Sequence, residues 1–454
     1  MDFLPGSFRD PYGGVFSENG NVFRWISPAY EPHYRHLIDS GLYDQLINKG
    51  WLIPHHEVEN TWTDLPSEYR VVEPETIPFI SYPYEWSFLQ YREAALLTLS
   101  IQLMAMEYGM SLRDASAYNI QFHRGKVTFI DTTSFEILRP GTPWVAYGQF
   151  CRHFLAPLAL MAGRDIRLGT LMQQYTDGIP LDMVYKLLPF QMKIKPGLAI
   201  HLFLHGKAGK KNSSQPSSKA PSFSSASFYG LIHSLENIVK SLKVKSQIST
   251  WEDYYKSLII NDLYLISKKD IIAGWIDKIR PSYTWDLGAN DGTFGRICAA
   301  YGLTIAFDSD PLAVEWGYQQ VQNEKVANLL PLRLDITNPS PGLGWVNTER
   351  TAWLGRPLPQ LTLALALVHH LVIGNNIPLA KLALLFAQIS SQLIIEFVPK
   401  TDPKVQEMLG FREDIFSEYH EKGFEDVFSR YFLMEEKCIV PHSDRILYLM
   451  QRKD

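Results

Sequence analysis

The sequence has few cysteines and no excess of basic charge. Of its 454 residues only three are cysteine, Cys151, Cys298 and Cys438, and they lie far apart. This odd and scattered set argues against a disulfide framework and a Cys-x-x-Cys metal site, and it fits a reducing cytoplasm. The 43 basic and 48 acidic residues give a net charge of −5. The composition therefore offers no overall basic charge to bind nucleic acid through counterion release.

Long hydrophobic runs are also missing. The longest, residues 361–373, contains two histidines and is too short to span a bilayer. The first residues, MDFLPG, have neither the basic nor the apolar region of a signal peptide. With 46% hydrophobic and 13% aromatic residues, the composition is typical of globular domains. We therefore expect a cytoplasmic protein with no membrane or nucleic-acid partner.

The composition divides the chain into three segments. Residues 206–230 are rich in serine and lysine, and they cannot bury enough apolar surface to offset the entropy of ordering. This predicts a flexible linker, with an ordered surface loop as the alternative. We expect a smaller α+β domain at residues 1–205 and an α/β domain at residues 231–454. The length agrees with two or three domains.

Apolar spacing predicts several helices. The pattern indicates a short helix at 36–48 and a long buried one at 87–108. After the linker we expect three helices: one at 231–242, one that begins with a capping box at Ser249, and one at 267–280. From Tyr283 onwards, short apolar strands alternate with helical segments, which is typical of a parallel α/β sheet. The last two strands are expected to pair antiparallel at its edge.

The first of these strands leads into a glycine-containing loop. Asp286 lies in the strand, and Gly288, Asn290 and Gly292 follow before a helix. The glycines allow the backbone to approach a ligand closely, and asparagine tolerates a positive φ. The helix that follows would present free amide groups to the ligand. Alone, such a loop is weak evidence for a ligand site.

Two more strands end in residues suited to a nucleoside. Asp308 follows the second strand, where a carboxylate can accept both hydroxyl groups of a ribose. Asp335 and Ile336 end the third strand, where they can take an exocyclic amino group and cover an adenine ring. Together with the loop, these residues predict a nucleoside-binding site. The alternatives are a dinucleotide site, which would favour G-x-G-x-x-G, and a tight turn beside solvated acids.

This order of motifs resembles the class I S-adenosylmethionine-dependent methyltransferases, over about residues 270–450. The resemblance implies a Rossmann-like sheet of seven strands, the last of them antiparallel, and S-adenosylmethionine as the cofactor. It also implies that Asp286 lies near the methionine amino group, Asp308 at the ribose and Asp335 at the adenine.

The fourth and fifth strands carry further candidates. The fourth, at residues 361–368, leads into His369 and His370. In the methyltransferase fold this strand end faces the point of methyl transfer, so either histidine could be the general base for an O–H or N–H group. The alternative is a packed, structural histidine. We expect no metal, because no further ligands stand at suitable spacing. Glu396, inside the apolar fifth strand, either faces substrate or is a paired structural acid.

A second group of polar residues lies in the N-terminal region. Asp114 and Asn119 follow the long predicted helix, and Asp131 ends a predicted hairpin. This spacing resembles the catalytic loop of protein kinases and aminoglycoside phosphotransferases, where these positions orient the acceptor hydroxyl and hold magnesium. The chain lacks the glycine-rich loop and the strand lysine of those enzymes, with Arg24 as the only stand-in. A degenerate kinase-like domain, an active phosphotransferase and an unrelated fold all stay open.

Three hypotheses for the function follow. The first is methyl transfer from S-adenosylmethionine to a small or medium-sized acceptor, with the N-terminal domain helping to form the acceptor site. The second is a phosphotransferase that uses Asp114, Asn119 and Asp131, with an accessory methyltransferase-like domain. The third is a binding module that has lost both chemistries. The whole arrangement resembles bacterial two-domain methyltransferases, some of them related to nodulation host-range proteins. The sequence identifies neither the acceptor atom nor the oligomeric state.

Overall fold

The computed structural model describes residues 1–204, 224–244, 262–410 and 412–453. The chain divides into two units. The first unit comprises Met1–Ser246 and Pro341–Ala352, and the second comprises Gln247–Ser340 and Trp353–Asp454. The second unit is therefore interrupted in sequence by a short segment that belongs to the first.

An antiparallel sheet opens the first unit. The strands of this unit are β1 (Asp2–Phe3), β2 (Gly13–Glu18), β3 (Asn21–Ile26), β4 (His55–Val58), β5 (Arg70–Pro74), β6 (Met110–Leu112), β7 (Ile120–His123), β8 (Lys126–Phe129) and β9 (Phe135–Ile137). The first five pair in the order β1-β2-β3-β5-β4, and β7 pairs with β8 in the predicted hairpin. Asn19 and Gly20 both have positive φ, which suits the tight turn between β2 and β3.

The helices of the first unit include one long, mostly buried helix, at Phe88–Glu107. They are α1 (Glu31–Asp39), α2 (Leu42–Asn48), α3 (Phe88–Glu107), α4 (Tyr147–Phe150), α5 (Ala156–Gly163), α6 (Leu171–Gln174), α7 (Leu181–Leu187), α8 (Phe190–Lys193), α9 (Pro196–Leu198) and α10 (Ser225–Ser241). Ser87 and Gln90 form a capping box at the start of α3, which confirms the long predicted helix. The single helix predicted at 36–48 is wrong, because Gly41, at φ +84°, separates α1 from α2.

Helix α10 corrects the predicted domain boundary. The hydroxyl of Ser224 accepts a hydrogen bond from the backbone N–H of Ser227, so the helix begins inside the segment predicted as a linker, 206–230. This cap satisfies one of the free N–H groups at the start of the helix. The helix packs against α3 through an apolar face of Phe228, Ile232, Leu235 and Val239.

Helix α10 therefore belongs to the first unit, not to the predicted C-terminal domain at 231–454. The reason is its apolar face, which is buried against another helix of the first unit. The remainder of the predicted linker, residues 206–223, and the capping box at Ser249 lie outside the described residues.

A mixed sheet forms the second unit. Its strands are β10 (Tyr283–Leu287), β11 (Leu303–Asp308), β12 (Leu329–Arg333), β13 (Leu361–Ala364), β14 (Gln392–Phe397), β15 (Phe432–Ile439) and β16 (Ile446–Arg452). In the described residues these seven strands pair in the order β12-β11-β10-β13-β14-β16-β15. The first five run parallel, and β16 is antiparallel to both its neighbours. The antiparallel edge predicted for the last two strands is confirmed.

The order of the strands determines where a ligand can bind. Strand β10 lies between β11 and β13, so the chain leaves it towards one side of the sheet and returns on the other. Such a reversal opens a crevice at the carboxyl ends of parallel strands. The helices that flank this sheet are α11 (Asp262–Ile279), α12 (Thr293–Ala299), α13 (Pro311–Glu324), α14 (Leu379–Ile389), α15 (Pro403–Leu409) and α16 (Glu421–Phe428).

The described helices include none that combines the length and the apolar content required to cross a membrane.

Candidate functional site

A cavity of about 170 Å³ lies at the carboxyl ends of the parallel strands in the second unit. Most of the predicted site residues line it: Asp286, Gly288, Asn290, Asp308, Asp335 and Ile336 from the nucleoside site, and His370 from the candidate bases. Two predicted residues, Gly292 and His369, are not among its lining residues. The structure thus gathers groups from four strand ends around one space.

The glycine-containing loop adopts the conformation that its sequence favours. Gly288, Asn290 and Gly292 all have positive φ, at +73°, +48° and +73°. Asparagine therefore takes the left-handed conformation where a third glycine is common. Gly292 does not reach the cavity because it turns the chain into helix α12, as the residue before its first turn.

The start of helix α12 is less open than predicted. The carboxylate of Asp291 accepts the backbone N–H of Thr293 at 3.0 Å and the hydroxyl of the same residue at 2.7 Å. This capping contact occupies one of the amide groups that the sequence suggested for a ligand.

Asp286 is a buried acid with unused hydrogen-bonding capacity. Its side chain is 2% exposed, and within the described part of the chain its Oδ2 atom has no hydrogen-bond partner. Burial raises the pKa of Asp286 to about 7, and the nearby Asp291 and Asp308 carboxylates add to the effect. An unpaired buried carboxylate is costly. Asp286 also lines the cavity, so its carboxylate is placed to contact a cationic or N–H-bearing ligand there.

Asp308 connects the glycine-containing loop to the end of β11. Its two oxygens accept the backbone N–H groups of Asn290, at 2.8 Å, and Asp310, at 2.9 Å. Burial raises the pKa of Asp308 to about 6. Because a carboxylate has about four acceptor sites, Asp308 keeps capacity for a ligand hydroxyl.

The end of β12 supplies a polar and an apolar group side by side. One oxygen of Asp335 accepts the backbone N–H of Thr337 at 2.8 Å and its hydroxyl at 2.6 Å. Ile336, which lies between these residues in sequence, is half-buried and also lines the cavity. This arrangement suits a flat, hydrogen-bonding ring.

The two histidines have different surroundings. His370 lines the cavity, whereas His369 is 0% exposed and neither of its ring nitrogens has a hydrogen-bond partner in the described residues. Burial, with Lys404 and Arg445 nearby, lowers the pKa of His370 to about 4, and burial also lowers the pKa of His369. Both rings are therefore neutral at pH 7. The position favours His370 over His369 for contact with an acceptor, and a role as general base stays a prediction for either.

The sequence did not single out Lys268, which also lines the cavity. Its ammonium group donates to Glu396 Oε2 at 2.6 Å, and the hydroxyl of Tyr264 donates to Oε1 at 2.6 Å. Glu396 is therefore a paired acid, one of the two alternatives. A signal was available: Lys268 lies four residues from both Tyr264 and Ile272, on one face of α11, and both of those residues are buried.

The first unit contains its own polar cavity, of about 310 Å³. As the spacing predicts, it brings together Asp114, Asn119 and Asp131, with Arg24 and Arg350 also in its lining. Burial raises the pKa of Asp114, and the nearby Asp131 carboxylate adds to the effect. Kinase-like chemistry in this unit stays a prediction.

The oxygens of Asp131 are already engaged by protein donors. Oδ1 contacts a guanidinium nitrogen of Arg24 at 2.8 Å and accepts the backbone N–H of Thr133 at 3.1 Å, while Oδ2 accepts the hydroxyl of Ser134 at 2.5 Å. Burial alone would raise the pKa of Asp131, but Arg24 and these donors lower it. Across the described residues, no group of three or more histidine, cysteine or acidic side chains could hold a metal ion.

Comparison with solved structures found chains of low sequence identity. The magnesium protoporphyrin IX methyltransferase ChlM of Synechocystis PCC 6803, with bound S-adenosylhomocysteine (SAH), is 14% identical. The match covers 45% of this chain and 95% of that one, with a TM-score of 0.33. The N-methyltransferase NodS of Bradyrhizobium japonicum WM9 is 10% identical, with 43% and 100% covered and a TM-score of 0.33.

Sequence comparison gives a much stronger match. No family model matches the chain. The nodulation protein NoeA of Rhizobium meliloti (strain 1021) is 34% identical over 462 aligned residues, which cover 99% of this chain and 96% of that protein. Identity at this level, through both units, shows common descent of the whole chain. The chain belongs to the family of the nodulation protein NoeA.

Proposed function

We propose that the second unit binds S-adenosylmethionine and transfers its methyl group to a small-molecule acceptor. The observation that carries the proposal is the convergence of Asp286, Asp308 and Asp335 on one cavity, from the ends of three neighbouring parallel strands. The alternative of a tight turn beside solvated acids does not explain why Asp286 is buried with an oxygen unpaired among the described residues.

The lining residues suit the parts of this cofactor. Asp286, in the cavity lining, would accept the methionine ammonium group. Asp308 would accept the ribose hydroxyls, and Asp335 with Ile336 would hold the adenine. When bound, the cofactor supplies an activated methyl group on a sulfonium centre.

The chain's contribution to the reaction would be mainly orientation. A cavity that fixes both reactants removes most of the entropic cost of bringing them together. Neutral His370, in the cavity wall, could take up the proton of an attacking O–H or N–H group, although its low pKa makes it a weak base. Burial around these groups also limits competing contact with water.

We propose that the methyl acceptor is a small or medium-sized molecule. We also propose that the first unit helps to form the acceptor site. Because the relative is named a nodulation protein, we propose that the acceptor is a molecule that takes part in nodulation. We also expect the activity in the cytoplasm, as the scattered cysteines suggest.

The direct test is titration calorimetry of the full chain with S-adenosylmethionine and SAH. We expect saturable binding of both, strongly weakened in Asp286→Asn. The matched control is Asp277→Asn, which changes an acid on helix α11 whose partners are Tyr301 and Arg280. No binding of either compound by the unaltered protein would overturn the proposal.

The phosphotransferase alternative has one observation in its favour, since Asp114, Asn119 and Asp131 do share a cavity. Against it, Asp131 is already paired with Arg24, the backbone N–H of Thr133 and the hydroxyl of Ser134. A carboxylate so occupied has little capacity for magnesium, on which phosphoryl transfer depends. We therefore rank methyl transfer first.

A further inference from the structure

The chain turns sharply where strand β13 ends beside the cavity. The last residue of this strand, Ala364, pairs with Ile395 of β14. Two residues later, Ala366 has a φ of +49°, a left-handed conformation that side chains with a Cβ atom rarely adopt. Ala366 lies beyond the last residue pair between β13 and β14, so a contact outside the sheet must stabilise this conformation.

The side chain of Glu396 makes the bond that replaces the sheet. Glu396 follows Ile395 on β14, and its Oε2 atom accepts the backbone N–H of Ala366 at 2.7 Å. The same oxygen accepts the ammonium group of Lys268 at 2.6 Å. Glu396 is completely buried.

The remaining contacts keep Glu396 charged and fixed. Its Oε1 atom accepts the hydroxyl of Tyr264 at 2.6 Å and lies 3.9 Å from a guanidinium nitrogen of Arg445. Arg445 in turn donates to Asp402 at 2.7 Å. Burial alone would raise the pKa of Glu396, but Lys268 and Arg445 lower it. An ionised acceptor makes a stronger bond to an N–H group than a neutral one.

The fixed turn shapes the cavity wall. Leu365, Ala366 and Leu367 all line the cavity, as does Lys268. The side chain of Leu367 packs on the glycine-containing loop, so closely that a Cβ atom at Gly288 would lie 3.2 Å from it. A change in the turn would therefore move the wall that faces Asp286 and Gly288.

We infer that Glu396 is a positioning residue: by holding the N–H group of Ala366, it fixes residues 365–367 as one wall of the ligand cavity. The identification of the ligand as an S-adenosyl compound rests on the proposed function, whereas the bond and the turn do not. Glu396 itself does not line the cavity, so its effect on binding passes through Ala366 and Lys268.

The test is a double-mutant cycle on SAH affinity, measured by calorimetry. Glu396→Gln should weaken SAH binding at least tenfold, because the bond to Ala366 loses its charged acceptor. Glycine adopts a positive φ without strain, so the loss caused by Glu396→Gln should be several-fold smaller in an Ala366→Gly background. A merely structural role would lower the melting temperature equally in both backgrounds without this coupling in affinity. Equal losses of affinity would overturn the inference.

A second substitution of Glu396 and a control variant complete the test. Glu396→Asp keeps the charge beside Lys268 but shortens the side chain, so it provides the same cycle if Glu396→Gln does not fold. Glu436→Gln is the matched control, since Glu436 pairs with Trp275 and Lys278, neither of which lines the cavity, and it should bind SAH as the unaltered chain does. A similar loss in this control would also overturn the inference.

Amide hydrogen exchange separates this inference from the proposed function. In the protein without ligand, Glu396→Asp should speed exchange of the Ala366 amide at least tenfold while the amides of β14 stay protected. Unchanged exchange at Ala366 would overturn the positioning role. If the unaltered chain did not bind SAH, only the proposed function would fail, and the exchange result would still decide the role of Glu396.

Discussion

Two acids with raised pKa values line the cavity of the second unit. Asp286 and Asp308 are both held at the carboxyl ends of strands with raised pKa values, mainly because they are buried. Burial of this kind costs stability in the absence of ligand, and such costs are typical of binding sites. Both residues therefore give measurable predictions.

Binding of SAH should weaken as the pH falls. The pKa values of Asp286 and Asp308 are raised to about 7 and about 6, so both acids are ionised at pH 8 and take up protons below these values. The ligand's ammonium group then loses its charged acceptor. Affinity should be highest near pH 8 and, well below pH 7, should fall by up to about tenfold per pH unit for one proton taken up. Calorimetry from pH 8 to pH 5.5 measures this, and equal affinity throughout would contradict it.

Replacement of Asp308 by alanine should weaken SAH binding by roughly 1.5–3 kcal/mol, the usual value of a hydrogen bond to a charged group. The variant also removes the acceptor for the N–H group of Asn290, which loosens the glycine-containing loop. Calorimetry is again the measurement, with Asp277→Ala as the control for loss of an exposed acid. Unchanged affinity in Asp308→Ala would remove the ribose assignment.

His369 allows a test of stability. A buried polar group without a partner costs about 1–3 kcal/mol, and neither ring nitrogen of His369 has a partner in the described residues. His369→Phe, which keeps a flat ring, should therefore raise the free energy of unfolding by about that amount. Urea denaturation measures the change. A loss of stability would mean that the imidazole has a hydrogen-bond partner, such as a bound water molecule.

At the residue scale, the sequence predicts the acids of the cavity better than its basic side chains. Asp286, Asp308 and Asp335 could be found because parallel strands bring their carboxyl ends together. The sequence could not predict which of His369 and His370 lines the cavity, since adjacent side chains point in different directions and only packing decides which one faces it. The pair of Lys268 with Glu396 joins residues 128 positions apart, although each stands out alone as a charge in an apolar pattern.

At the scale of helices and strands, apolar periodicity finds the elements but not always their ends. The fourth strand was expected at 361–368, yet β13 ends at Ala364, because the chain turns at Ala366 and Glu396 takes over its hydrogen bonding. Helix α10 begins earlier than expected because the serines before it, which suggest a linker by composition, include a capping residue, Ser224. In each case the local chemistry of a single residue, Glu396 for the strand and Ser224 for the helix, determines where the element ends or begins.

The assignment of α10 to the first unit can be tested with Ile232→Ala. This side chain is completely buried, and such truncations cost about 2–5 kcal/mol. In scanning calorimetry with SAH present, Ile232→Ala should lower the melting temperature of the unfolding transition that SAH does not stabilise. SAH is expected to bind the second unit, so that transition belongs to the first. Lys240→Ala, on the exposed side of the same helix, should change stability by less than about 0.5 kcal/mol. A shift confined to the SAH-stabilised transition would place α10 with the second unit instead.

At the scale of the whole molecule, each unit has its own polar cavity, and the charges in the two cavities are arranged differently. In the second unit, the cavity lining carries three acids, Asp286, Asp308 and Asp335, and one lysine, Lys268. In the first unit, Asp131 is paired with Arg24 at 2.8 Å. The family relationship spans both units, since the NoeA match covers 99% of the chain.

The first unit should therefore not bind ATP with magnesium. Phosphoryl transfer needs metal ions that bridge the phosphates, held by carboxylate and amide oxygens. The Asp131 oxygens already accept bonds from Thr133 and Ser134 and contact Arg24, and a guanidinium at 2.8 Å repels a divalent cation. Titration of the full chain with ATP and magnesium should show no saturable binding in the micromolar range, and Asp131→Ala should not change that result. Micromolar binding that disappears in Asp131→Ala would show that the carboxylate exchanges Arg24 for a metal, and would make phosphotransfer the leading function of this unit.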